Sequence, residues 1–137
     1  MKAINPYLNF KGNAEEAFNF YKSVFGGEFT VDMRYKDVPD NDKIPEKDKE
    51  KIMHISLPLG NEIILMGTDY LESLGQHLSN GNNFFISITA DSKEEVDKIF
   101  DKLSDGGKVM MALSDTFWGE YFGMFADKFG IQWMVKF

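Results

Sequence analysis

Alternating apolar and polar positions are clearest in the last segment of the chain. In Ile131–Phe137 the odd-numbered residues are apolar, whereas the even-numbered ones are Gln132, Met134 and Lys136. Successive side chains of a strand point to opposite faces, so this pattern predicts one face toward the core and one toward a cavity or a solvated groove. Similar patterns predict further strands over residues 3–10, 28–35, 52–59, 62–67, 84–89, 108–113 and 118–126.

Apolar residues at helical spacing predict two helices. Such spacing gathers the apolar side chains into one stripe that faces the core. The two stripes are Ala14, Ala17, Phe18, Tyr21, Val24 and Phe25, and then Val96, Ile99, Phe100 and Leu103. A pair of glycines follows each stripe, at residues 26–27 and 106–107, and should end the helix there. Asn13 with Glu16, and Ser92 with Glu95, are expected to cap the two N-termini.

The order strand, helix and three strands therefore occurs twice along the chain. We predict one domain over residues 1–137, with a first module at about 1–67, a connection at 68–83 and a second module at about 84–137. One such module cannot cover its own sheet face. The expected fold class is α+β: two βαβββ modules form a curved mixed sheet around a groove, with the helices on the outside.

A charged segment, Lys36–Lys51, interrupts the first module. It contains two prolines and almost no apolar residues. The simplest interpretation is a solvated, mobile loop, and the alternative is a lid over a site.

Composition limits the possible partners. The net charge of −7 argues against nucleic acid and against an anionic membrane surface. The absence of cysteine excludes disulfides and thiol chemistry. No apolar run reaches membrane-spanning length, and the N-terminus does not resemble a signal peptide. We therefore expect a cytoplasmic protein.

Several stretches resemble the PhnB-like branch of the vicinal oxygen chelate superfamily, which includes glyoxalase I, bleomycin-resistance proteins and extradiol dioxygenases. The matching stretches are Tyr7–Gly27, Met53–His54, Gly106–Gly107, Trp118–Gly119 and Asp127–Trp133. The resemblance covers nearly the whole chain and implies the glyoxalase/bleomycin resistance fold. It does not support the methyltransferase label that this branch sometimes carries, because the sequence has no glycine-rich nucleotide-binding loop after a strand.

The resemblance also implies where a metal site should be sought. Metal enzymes of the superfamily carry one ligand on the first strand and one on the last strand of each module. In this chain those positions fall on Asn5, Ile64, Phe85 and Met134. Divalent ions of the kinds these enzymes use are held by imidazole, carboxylate or bound water. We therefore predict no metal and no other cofactor, and with them no Lewis-acid mechanism.

Three other ionisable residues are candidates for chemistry. His54 could act as a general base, or it could be a half-buried histidine that hydrogen-bonds a neighbour. Glu62 follows a predicted hairpin turn and is expected in solvent, whereas Glu120 could pair with Lys136. His77 is expected to be solvated.

The function that we predict is metal-independent binding of an unidentified apolar or aromatic small molecule in the groove. The expected lining residues combine aromatic, thioether and hydroxyl side chains. They are Asn5, Tyr7, His54, Ser56, Ile64, Met66, Phe85, Ser87, Trp118, Tyr121 and Met134.

The alternative is a metal-dependent lyase, isomerase or dioxygenase with a displaced site around His54, Glu62 or Glu120. An interaction module without a small ligand is a third hypothesis. The resemblance further implies a homodimer, because related proteins commonly complete their grooves by pairing.

Overall fold

A computed structural model describes residues 1–137 and contains eight strands and two helices. The first half comprises β1 Tyr7–Phe10, α1 Ala14–Phe25, β2 Val31–Arg34, β3 Ile52–Gly60 and β4 Ile63–Asp69. The second half comprises β5 Ile86–Thr89, α2 Lys93–Leu103, β6 Lys108–Asp115, β7 Tyr121–Ala126 and β8 Gln132–Lys136. The predicted βαβββ order is therefore present twice. Neither helix is long and apolar enough to cross a membrane.

Each half forms its own four-stranded mixed sheet, and the chain divides into the compact units Met1–Ser79 and Asn80–Phe137. The strand orders are β1-β4-β3-β2 and β5-β8-β7-β6, which are equivalent. In both sheets the first strand pairs in parallel with the last, and the other pairs are antiparallel. Pro6 lies just before β1, an edge strand, as expected for a residue that has no N–H to donate to a ladder.

One helix covers one face of each sheet and packs against a glycine. An added Cβ at Gly67 on β4 would lie 2.5 Å from the Phe18 ring of α1, and one at Gly123 on β7 would lie 2.7 Å from Phe100 of α2. The missing side chains let the aromatic rings approach the sheets closely. Phe100 in turn meets Phe125 edge to face, with ring centroids 5.1 Å apart.

In β1 and β8, burial follows the predicted alternation within the strand but not in the residues that flank it. Leu8, Phe10, Trp133 and Val135 are all buried, as the pattern predicts. Ile4, predicted in the first strand, instead precedes β1 and is 82% exposed. Phe137, assigned to the core face of the last strand, follows β8 and is 51% exposed. Periodicity alone could not show that the paired segments are shorter than the alternating ones.

The cap of α1 differs from the prediction. The side chain of Asn13 makes no capping hydrogen bond. Asp69, at the end of β4, accepts from the backbone N–H groups of Gly12 and Ala14 at 2.9 Å each. Its other oxygen accepts from the N–H of Ile52 at 2.9 Å. A buried carboxylate distant in sequence thus supplies the negative charge that a helix N-terminus favours.

The cap of α2 is the predicted one, with a small shift. The Ser92 hydroxyl accepts from the N–H of Glu95 at 3.1 Å. The Glu95 carboxylate accepts from the N–H of Asp91 at 2.7 Å, one residue before the partner expected in a capping box.

The charged segment Lys36–Lys51 has more structure than the prediction of a simple solvated loop. It contains short 3₁₀ turns at Asn41–Lys43 and Glu46–Asp48, and a third turn, Tyr35–Asp37, overlaps its start. Asp48 is only 2% exposed; it accepts from Lys51 Nζ at 2.7 Å and from the hydroxyl of Ser73 at 2.6 Å. The ion pair lies within the segment, and the hydrogen bond from Ser73 joins the segment to the turn that follows β4.

This ion pair predicts a specific acid sensitivity. Hydrogen bonds from Lys51 and Ser73 lower the pKa of Asp48 below its usual value. The stabilisation is therefore complete above the unfolded-state pKa, about 3.9, and is lost as the pH falls through the lower folded-state pKa. We expect Asp48→Asn to lose about 1–3 kcal/mol at pH 7, and the difference from wild type to shrink below pH 4. Urea unfolding at a series of pH values measures this. The exposed substitution Asp42→Asn is the control, and a difference constant between pH 7 and pH 2.5 would contradict the prediction.

Candidate functional site

The face of the first sheet that α1 does not cover carries most of the predicted groove residues of this half. β1 and β4 place Tyr7 beside Met66, and β4 and β3 place Met66 opposite Ser56. Because side chains alternate between the two faces of a strand, Ile64 and His54 project on the same side as these residues. We call this surface the helix-free face of the first sheet. It consists of Tyr7, His54, Ser56, Ile64 and Met66.

A continuous hydrogen-bonded chain crosses this face. The Tyr7 hydroxyl lies 2.9 Å from Nδ1 of His54, and the Ser56 hydroxyl lies 2.9 Å from Nε2 of the same ring. The Tyr7 and His54 ring centroids are 5.5 Å apart. Tyr7, His54 and Ser56 were all expected to line the groove, but the sequence did not show that their side chains are hydrogen-bonded to one another. His54 is half-buried and hydrogen-bonded through both ring nitrogens.

The surroundings of Tyr7 keep its hydroxyl protonated near neutral pH. Partial burial raises the pKa of Tyr7, the nearby Tyr35 raises it further, and a hydrogen bond with Thr68 opposes the rise. Tyr7 therefore acts as a neutral phenol that can donate one hydrogen bond and accept others.

In the second sheet the face opposite α2 carries Ser87, Met124 and Met134. Ser87 lies beside Met134 in the parallel pair of β5 and β8, and Met124 lies opposite Met134 in the antiparallel pair of β7 and β8. Phe85, just before β5, is half-buried and has the same parity as Ser87. Met134 thus lies between Ser87 and Met124 on the face that α2 does not cover.

Trp118 lies in the loop before β7 and is 49% exposed. Its ring meets Phe122 at 5.8 Å and Phe117 at 5.0 Å between centroids. This loop is held by Thr116, whose hydroxyl donates to the carbonyl of Glu120 at 2.7 Å. Trp118 therefore lies beside Phe122, which shares the helix-free side of β7 with Met124.

Tyr121 does not share a face with the other residues predicted to line the groove. Tyr121 is two residues before Gly123 on β7, so both residues face the side of the sheet that packs on α2. The Tyr121 hydroxyl donates to Asp97 of α2 at 2.6 Å. That hydrogen bond raises the pKa of Tyr121. The prediction that Tyr121 lines the groove is therefore corrected, because Tyr121 lies on the helix-covered side of the second sheet.

The positions where the resemblance places metal ligands carry no charged donor. The amide oxygen of Asn5 accepts from the backbone N–H of Ile64 at 2.9 Å, so it already has a partner within the first sheet. Phe85 offers no donor atom at all, and Met134 offers a thioether, which suits soft ions. No three His, Cys, Asp or Glu side chains are grouped so that they could hold a metal ion. The residues present do not fit the divalent site of the superfamily's metal enzymes.

The residues proposed for a displaced metal site are dispersed. Glu62 is exposed in the β3–β4 turn, as expected. Glu120 pairs with Lys136 at 3.4 Å, which confirms the structural prediction for it. His54 uses both ring nitrogens in bonds to hydroxyl groups.

A polar cleft of about 560 Å³ lies elsewhere in the first unit, at the start of α1. Sequence analysis did not predict it. Its two cationic groups already have partners: Arg34 binds the Glu15 carboxylate and the carbonyl of Glu50, and Lys51 binds Asp48. These pairings leave no free cation to attract a ligand.

Comparison with known proteins agrees with the fold. The family model described as the glyoxalase/bleomycin resistance protein/dioxygenase superfamily matches residues 3–135. The chain belongs to this superfamily. The matched range includes both βαβββ modules, so the duplicated architecture is the superfamily's own.

Solved structures place the chain near PhnB-like members of the superfamily. Protein PA1353 from Pseudomonas aeruginosa is 39% identical, with a TM-score of 0.85 over 96% of this chain and 94% of its own. A PhnB protein from Bacillus cereus, described as a putative 3-demethylubiquinone-9 3-methyltransferase, is 28% identical, with a TM-score of 0.77 over 96% of each chain. Protein YjdN from Escherichia coli K12 is 26% identical over 97% of this chain and 93% of its own. The predicted fold and PhnB-like resemblance are confirmed.

Proposed function

We propose that this superfamily member binds an apolar or aromatic small molecule on the helix-free face of the first sheet without the help of a divalent ion. The observation that carries the proposal is the chemistry of the four inherited ligand positions. Their side chains are an amide that is already bonded, two hydrocarbons and a thioether. Ions such as Zn²⁺ and Mg²⁺ need imidazole or oxygen ligands in greater number than these positions offer.

The surrounding side chains support an apolar ligand. The helix-free face of the first sheet carries Ile64 and Met66. Methionine side chains adapt to ligands of different shape, and apolar surfaces with a few polar groups are typical of small-molecule sites. The hydroxyl and imidazole groups of the first sheet supply those polar groups.

Metal analysis together with ligand binding tests the proposal. We expect purified protein to carry well under one equivalent of Zn, Ni, Mn or Fe, and ligand-observed NMR to detect p-xylene binding that EDTA leaves unchanged. Met66→Lys should abolish that binding because it places a charge on the helix-free face. Glu62→Lys, in the exposed turn, is the matched control. A stoichiometric ion whose removal abolishes binding would overturn metal independence, and no binding of p-xylene would overturn the ligand class.

We also propose that the protein pairs as a homodimer through β6. This strand is the outer edge of the second sheet, and Val109, Met110 and Met111 are between 41% and 48% exposed. Register shifts against β7 explain why consecutive residues are exposed on it. An apolar edge strand is a template for pairing with another chain.

The charges at the ends of β6 favour a second copy as the partner. Antiparallel pairing about the strand centre places Lys108 opposite Asp115 of the partner subunit, so opposite charges meet at both ends. The same arrangement places Met110 and Met111 opposite Leu113 and Ala112 of the partner subunit, so the centre of the interface is apolar.

Sedimentation velocity tests the dimer. We expect the wild type to sediment as a dimer at micromolar concentrations and Met111→Lys as a monomer, because the substitution places a charge in the apolar centre of the interface. Asp32→Lys adds a lysine to β2, the edge of the first sheet, and should leave the dimer intact. A monomeric wild type, or a Met111→Lys variant that remains dimeric, would refute pairing through β6.

A further inference from the structure

The hydrogen-bonded side chains of Tyr7, His54 and Ser56 link a solvent-exposed position to a buried one. Tyr7 is 46% exposed and Ser56 is 5% exposed, with the half-buried His54 ring between them. Both ring nitrogens are within 2.9 Å of a hydroxyl oxygen. His54 therefore has no free nitrogen for a ligand, and the ligand-facing atom of the chain is the Tyr7 oxygen.

The two tautomers of His54 give this oxygen two different roles. With the proton on Nε2, the ring donates to Ser56 and accepts from Tyr7, so the Tyr7 oxygen can only accept from a ligand. With the proton on Nδ1, the ring donates to Tyr7 and accepts from Ser56, so the Tyr7 O–H no longer bonds the ring and can donate to a ligand. A change of tautomer thus reverses the polarity of the site without any movement of the side chains.

The environment of the chain determines which ligand fits. No lysine, arginine or carboxylate lies on the strand positions that form the helix-free face of the first sheet. An anionic ligand would therefore be desolvated there without a counter-charge, which is costly. Ile64 and Met66 offer apolar contact instead. A neutral aromatic ring bearing a hydroxyl group satisfies both the apolar surface and the Tyr7 oxygen.

We propose that Tyr7, His54 and Ser56 form a hydroxyl-recognising anchor that selects small neutral phenols as ligands of the helix-free face. The inference rests on the proposed ligand-binding function and specifies its ligand class. Tyr7 contacts the ligand, whereas His54 and Ser56 are positioning residues that act through Tyr7.

The anchor differs from a nucleophilic triad in the group that is hydrogen-bonded to Nδ1 of the histidine. In a triad, a carboxylate orients the imidazole and stabilises its charged form after it takes the serine proton. Here the group on Nδ1 is the neutral hydroxyl of Tyr7. The arrangement therefore supports exchange of hydrogen-bond polarity rather than formation of a serine nucleophile.

The test compares p-cresol with p-xylene, which has a methyl group in place of the hydroxyl. We expect p-cresol to bind the wild type about tenfold more tightly, the value of one added hydrogen bond. Tyr7→Phe should abolish this preference and leave p-xylene affinity within about twofold. Tyr70→Phe removes a hydroxyl from the residue just beyond β4 and is the matched control.

The ring nitrogens of His54 give a second measurement that needs no variant at Tyr7. We expect p-cresol, but not p-xylene, to change the ¹⁵N shift of Nδ1, because a hydrogen bond between the ligand and the Tyr7 oxygen alters the bond that this oxygen makes with Nδ1. His77→Gln leaves one histidine and assigns the signals. Equal binding of the two probes, or unchanged ¹⁵N shifts on p-cresol binding, refutes the anchor while the proposed function stands. If neither probe binds, the proposed function and the anchor both fail.

Discussion

Asp69→Ala should lower the free energy of unfolding by about 3–5 kcal/mol, which is the largest effect that we expect from a single substitution. The Asp69 carboxylate is 1% exposed and accepts from the N–H groups of Gly12, Ala14 and Ile52. Removing it leaves three donors without their partner, at the N-terminus of α1 and at the start of β3. Urea unfolding followed by far-ultraviolet circular dichroism measures the loss.

Two further variants make the Asp69 experiment specific. Asp69→Asn keeps the shape of the side chain but replaces one accepting oxygen with an NH₂ group, so it should lose more than half of the same stability. Asp42→Asn makes the same change at an exposed position and should alter stability by less than about 0.5 kcal/mol. A loss below about 1 kcal/mol for Asp69→Ala would show that the carboxylate does not hold α1 in place.

Gly107→Ala should cost about 3 kcal/mol, at the upper end of the range for overpacking. A Cβ at residue 107 would lie 2.1 Å from the carbonyl oxygen of Ala126 and 2.8 Å from the carbonyl carbon of Asp127. Both are backbone atoms, which cannot move aside as the end of a flexible side chain can. The start of β6 must therefore separate from the end of β7. Thermal and urea unfolding of the purified variant measure the effect.

Gly81→Ala is the matched control for this substitution. The nearest atom to a Cβ at residue 81 is a side-chain oxygen of Asn83 at 3.7 Å, an ordinary contact distance. We expect this variant to be as stable as the wild type or slightly more stable, because alanine restricts the unfolded chain. Equal stabilities of Gly107→Ala and Gly81→Ala would mean that the contact with β7 relaxes without cost.

Asp127 holds the second unit together in a way similar to Asp69 in the first. It is 3% exposed and accepts from the N–H groups of Phe129 and Ile131 and from the indole N–H of Trp133. A buried aspartate thus organises the turn before β8, as Asp69 organises the start of α1. In both units one carboxylate satisfies several backbone donors, an arrangement in which charge-assisted hydrogen bonds are strong.

The sequence by itself determined the elements and their faces. Alternation and helical spacing depend only on neighbouring residues, so they correctly predicted both βαβββ modules, the α2 cap at Ser92 and the buried face of Trp133 and Val135. They also predicted the parity of His54 with Ser56. They could not fix where pairing stops, and so Ile4 and Phe137 were assigned wrongly.

Only the tertiary structure decided which distant residues meet. Tyr7 and His54 are 47 residues apart, and Asp69 is 55 residues from Ala14. Their contacts depend on the strand order, which places β4 between β1 and β3. Periodicity records which face a residue occupies, but it contains no information about which strand lies alongside. For that physical reason the α1 cap was assigned to the neighbouring Asn13, and the chain from Tyr7 through His54 to Ser56 became visible only in the folded protein.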